Sequence, residues 1–142
     1  MPSYTFEESI TYLLKATAGI TALVSTRIYP DEAADNATLP YIVWRVESER
    51  EEQTFATPTT QMRQATIVVG CYADRAATGT KTARDTAEAV WTALRNYAGT
   101  PVAGGKAILA VTECGISAGM ESDSGYDDQR VSRDVSVTLW YR

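Results

Sequence analysis

Residues 129–142, QRVSRDVSVTLWYR, alternate without a break. Val131, Arg133, Val135, Val137, Leu139 and Tyr141 fall on one side, and Ser132, Asp134, Ser136, Thr138 and Trp140 on the other. A period of two puts successive side chains on opposite faces of a strand. One dry and one wet face is the pattern of an antiparallel sheet covered on a single side. This segment therefore commits the chain to a sheet with a separate layer packed on one face. Three further runs have β character: Tyr41–Glu47 (YIVWRVE), Met62–Ala73 (MRQATIVVGCYA) and Lys106–Ser117 (KAILAVTECGIS). Pro40, which cannot donate a ladder hydrogen bond, suits the first position of the earliest strand.

The covering layer comes from helical periodicity. Phe6, Ile10, Leu13, Leu14 and Thr17 form one stripe at a 3.6-residue period, which predicts a helix over Ser3–Thr17 with Ser3 as its cap and Glu7 and Glu8 at its positive end. Ile20–Val24 reads as a second, short helical turn after Gly19, and Pro30 stops whatever begins at Arg27. Ala83, Ala87, Val90, Trp91, Leu94 and Ala98 predict a helix over Thr82–Ala98, with TARD (Thr82–Asp85) as a capping box and Gly99 and Pro101 as terminators. The expected order is α-α-β-β-α-β-β. Strands arriving in pairs, not alternating with helices, predict an α+β fold: an antiparallel or mixed four-stranded sheet with two main helices on one face, in one domain spanning residues 1–142.

Charge and residue usage exclude several functions. The net charge of −5 disfavours tight, general nucleic-acid binding, because such binding draws on cations that displace counterions from phosphates. There is no histidine, which removes Ser–His and Cys–His nucleophiles, His-ligated zinc and the usual base near neutral pH. The two cysteines, Cys71 and Cys114, sit in separate apolar runs and read as buried free thiols; a disulfide requires that their strands be neighbours. The polar, acidic start MPSYTFEES resembles neither a secretory signal nor a transit peptide, and no apolar run is long enough for a membrane span.

Three stretches invite a chemical reading. TPVAGGKA (Thr100–Ala107) lacks the first glycine of a phosphate-binding loop, has Ala107 where Ser or Thr is needed, and follows a helix; it reads as a helix-to-strand turn. ESDSGYDD (Glu121–Asp128) gathers carboxylates but lacks EF-hand spacing, so it reads as a solvated turn, and no cofactor or metal is expected. ESEREE (Glu47–Glu52) opens the polar segment Glu47–Gln61 between two strands, which reads either as a solvated strand end or as a projecting hairpin arm that touches a neighbouring subunit. A connection of this length is uncommon and usually functional or mobile. Trp140, on the otherwise wet face of the last strand, is either a protein contact or is covered by another element of the same chain.

Two stretches together carry a resemblance. LLKATAGITALVSTRIYP (Leu13–Pro30), then LPYIVWRV (Leu39–Val46) after a polar loop, resemble the tail completion or tail terminator family of long-tailed phages. The order of the following hairpin, amphipathic helix and final strand pair is also similar, and the departures fall in residues 31–38 and 47–61. What the resemblance implies is a structural virion protein at the head–tail joint, made in the host bacterial cytoplasm. It would form a hexameric ring with copies of itself on the head-proximal end of the tail tube, stop tube polymerisation and meet a head-side connector. Genome DNA would pass through its lumen without specific binding, and no catalytic residue is implied. Another head–tail connector or a tail-tube component is the alternative, followed by a small enzyme using Glu113 or the carboxylates of residues 121–128. The expected contact residues are Glu47, Glu49, Arg50, Glu51, Glu52 and Phe55 on the arm, Asp123, Tyr126, Asp127 and Asp128 in the acidic turn, and Trp140. In RIYPDEAADNATLPYIVWR (residues 27–45), Ile28 and Tyr29 are expected to anchor the chain against the core while the loop between Pro30 and Pro40 varies.

Overall fold

The computed structural model describes residues 5–31, 38–52, 62–74, 79–117 and 130–142. Three helices, α1 (Phe6–Ala16), α2 (Ala18–Val24) and α3 (Gly79–Leu94), accompany five strands: β1 (Ile28–Pro30), β2 (Tyr41–Glu52), β3 (Met62–Asp74), β4 (Ile108–Ser117) and β5 (Arg130–Tyr141). The strands form one mixed sheet in the order β1-β2-β3-β5-β4. β1 runs parallel to β2 and every other pair is antiparallel.

The expected four strands become five because Ile28–Pro30 joins the sheet, pairing Ile28 with Ile42 and Pro30 with Trp44. Three residues are too few to show a period. The terminal proline is tolerated because this is an edge strand, where a missing N–H interrupts no central ladder. The next residue continues the pairing, Asp31 N–H donating to the Trp44 carbonyl at 2.8 Å. Arg27 fastens both sides of the intervening loop: its Nε–H donates to the Pro40 carbonyl at 2.8 Å, and its own carbonyl accepts from Ile42 N–H at 2.9 Å.

The first helix is capped by Thr5, not Ser3, which lies outside the described residues. Thr5 Oγ1 accepts from Glu8 N–H at 3.2 Å while the Glu8 carboxylate accepts from Thr5 N–H at 2.8 Å, a reciprocal capping box. The third helix starts at Gly79, so Thr82 stands inside it. Its carbonyl accepts from Thr86 Oγ1, and Asp85 pairs with Lys81 one turn back, so neither acts as a cap. It ends at Leu94, before Gly99, because Asn96 takes a left-handed conformation (φ 59°), and Ala98 is left exposed beyond the helix.

All three helices cover one face of the sheet. Phe6, Ile10, Leu13 and Leu14 of α1, Ile20 and Val24 of α2, and Ala87, Val90 and Leu94 of α3 share a core with Ile42, Trp44, Ala65, Ile67, Val69, Val135, Val137 and Leu139. The dry face expected of β5 is this one. Trp91, expected in the inward stripe, is only half-buried at the margin of that core. β5 lies between β3 and β4, so Cys71 and Cys114 are not on neighbouring strands, and both are free. Burial pushes the Cys71 thiol far up and raises that of Cys114, the latter opposed by Arg95.

Candidate assembly interface

The arm has a structured base. β2 and β3 remain paired well past the core, from Ser48 opposite Thr66 to Glu52 opposite Met62. Between Val46 and Ser48 the register shifts by one residue, leaving Glu47 without an opposite number. A bulge of this kind reverses the alternation of the strand that carries it. Before it, Ile42, Trp44 and Val46 face the helices; after it, Glu49 and Glu51 do, across from Ala65 and Arg63. Uninterrupted alternation would have placed Ser48 and Arg50 there.

That reversal builds a polar latch at the end of the core. The Tyr141 hydroxyl donates to the Glu49 carboxylate. Arg63 pairs across the ladder with both Tyr141 and Glu51. Phe6 lies flat on Tyr141, with centroids 4.1 Å apart and planes 14° off parallel. Burial, then the hydrogen bond to Glu49, pushes the Tyr141 phenol up to about 12. The arm is thus tied to the first turn of α1 and to the end of β5.

The opposite face, which no helix covers among the described residues, is lined by a second set. Arg50 stands opposite Gln64, and Gln64 opposite Trp140, so these three form a row across β2, β3 and β5. Arg50 Nε–H donates to Gln64 Oε1 at 2.5 Å. Trp140 is half-buried in this row, next to Ala110 of β4. Farther along this face, Tyr72 stacks on Tyr41 at 5.2 Å. Asp134 lies across from Gly70, its carboxyl raised by burial against the opposing pull of Arg45.

The structure therefore brings Arg50 and Trp140 together on one face and Glu49 and Glu51 together on the other, with Glu47 at the bulge between them. The side chain of Glu52 and all of Phe55, Asp123, Tyr126, Asp127 and Asp128 lie outside the described residues. Sequence reasoning missed Arg63 and gave Tyr141 only a packing role. The available signal was that Tyr141 is the last dry-face residue of its strand, where the core runs out. Among the described residues no cluster of His, Cys, Asp or Glu is placed to hold a metal ion, and no helix is long and apolar enough to cross a membrane. A shallow, largely apolar groove of about 740 Å³ runs beside α1, lined by Tyr12, Ala16 and Pro30 with Glu7 and Lys15 at its rim.

Comparison with known proteins bears on this geometry. The family profile described as "Tail completion protein gp17" matches residues 8–138. Among solved structures, a chain of a "Virion of native gene transfer agent (GTA) particle" is similar in fold, with a TM-score of 0.61 and 19% sequence identity, covering 96% of this chain and 93% of that one. No curated protein sequence matches.

Proposed function

The chain belongs to the tail completion protein gp17 family, and from that premise we propose that it closes the head-proximal end of a phage tail tube as a ring of identical subunits. It is a structural protein of the virion tail. In the proposed role its ring stops addition of further tube subunits and offers its other face to a head-side connector. The observation that carries the reading is the family match across nearly the whole chain, residues 8–138.

The geometry supports an assembly role. A closed ring uses two different surfaces of each subunit, one meeting the other on the neighbour. The β2–β3 arm, held by the Tyr141–Glu49 latch, supplies one such surface, and the expected contacts at Glu47, Glu49, Arg50, Glu51 and Trp140 lie on or beside its base. The net charge of −5 suits a lumen past which DNA slides, because acidic walls repel phosphates.

Adding the purified protein to polymerising tail-tube subunits tests this role. Tubes should stop lengthening once capped, giving shorter tubes as the ratio of added protein rises. Tubes of unchanged length at every ratio would contradict the role.

A further inference from the structure

The sheet ends in two open edges of opposite character. On one side β1 pairs with β2 only at Ile42–Trp44, so among the described residues no strand lies beside residues 45–52. On the other side β4 is the last strand. Gly99 bridges Ile108, and among the described residues no strand lies beside 109–117. Open edges are templates for an added strand, and globular proteins usually blunt them with lysine, proline or bulges. β4 contains no lysine, arginine or proline, its register shifts fall before Glu113, and Ile116 is 39% exposed. Trp91 leans over this edge and donates to the Cys114 carbonyl at 3.2 Å. A carbonyl has two lone pairs, so that oxygen keeps capacity for a second donor.

Charge distinguishes the two edges. The open half of β2 carries Glu47, Glu49 and Glu51, the last two on the helix-covered face, with Arg50 on the other face. β4 is flanked on that same face by α3, which sets Arg95 beside Val111–Cys114 and the Arg84–Glu88 pair beside Ile116 and Ser117. On the helix-covered face, two copies of the β2 edge would set Glu49 and Glu51 against like charges, whereas Arg95 beside β4 offers them an opposite one. This selects pairing between unlike edges over pairing between like ones. The two edges lie on opposite sides of the sheet, so such a contact runs head to tail and can close into a ring.

Resting on the ring reading above, we propose that the open half of β2 in one copy adds as a strand to β4 of the next copy, with Glu51 facing Arg95. The pairing is antiparallel. β2 and β4 run in opposite directions within the sheet, and rotation about an axis along the strands preserves each direction. Backbone hydrogen bonds supply the contact and the charged flanks supply its direction.

The test uses the full chain and three variants: Glu51→Arg, Arg95→Glu and the two combined. Each single change should raise the concentration needed for half-maximal ring assembly about tenfold or more, since like charges then meet across the contact. The combination should restore assembly; because Glu51→Arg also sets a second arginine opposite Arg63, each variant's melting temperature is measured and assembly is compared well below it. Singles that assemble like the parent chain, or a double variant no better than the singles, would overturn the pairing. A photo-crosslinking residue, Glu51→benzoylphenylalanine, gives an independent readout. Crosslinks to residues 108–117 or α3 of a neighbouring copy support the pairing. Crosslinks elsewhere in an intact ring, or to a tail-tube protein, overturn it and leave the ring reading standing. A parent chain that stays monomeric on and off tail tubes overturns both.

Discussion

Tyr141 joins three parts of the molecule through one side chain. Its ring stacks on Phe6, its hydroxyl donates to Glu49, and Arg63 stands beside it. Replacing it with Phe keeps the stack and removes the hydroxyl, so Tyr141→Phe should cost about 1 kcal/mol in chemical denaturation. The same residue sets an alkaline limit. Its phenol is raised to about 12 in the folded chain, against about 10 when unfolded. The folded state therefore holds the proton longer. Stability from this group is intact below about pH 10 and is lost as pH rises through about 12. The Phe variant should lack that part of the slope, and a tyrosinate absorbance titration of the parent chain should show a late component that the variant lacks. Gly105 marks a second tight place. A Cβ there would sit 2.7 Å from Ser9 Oγ and 2.7 Å from a Val102 methyl. Gly105→Ala should cost about 1–3 kcal/mol by overpacking, measurable by thermal melting.

Elements are held together by a few polar contacts set into an apolar core. Ser9 is one: its hydroxyl donates to the Thr5 carbonyl and accepts from Lys106 N–H at 3.0 Å, docking α1 on the segment that leads into β4. Trp44 is another: fully buried, its indole N–H donates to Thr11 Oγ1 at 3.1 Å, joining β2 to α1. Thr11→Val strands that N–H and should destabilise the fold by about 1–3 kcal/mol, whereas Thr11→Ser should lose far less. At this scale the sequence was informative where the period is long. The alternation of β5 and the stripes of α1 and α3 were all legible because each repeats several times. β1 was not, since three residues show no period and its pairing depends on a strand that starts at Tyr41. The bulge at Glu47 was not legible either. Before it the alternation of Tyr41–Glu47 reads straight, and only pairing with β3 reveals the extra residue. The arm could therefore be placed from its charges, while the face that each charge occupies could not.

Among the described residues the molecule is a sheet with a helical layer on one face, a β2–β3 extension tied to the core by Tyr141 and two open edges. The bulge turns Glu49 and Glu51 toward the helical side, the latch holds Glu49 there, and α3 presents Arg95 at the far edge of the same layer. The proposed strand pairing would join two unlike surfaces of each subunit, as a closed ring requires. Family membership puts the chain in a phage tail. Electron microscopy of purified chain mixed with preformed tail tubes, with mass photometry of the chain alone, tests the capping ring. One discrete multimer in solution and a single ring at one end of each tube are expected. A chain that remains monomeric at tens of micromolar and leaves both tube ends bare would contradict it.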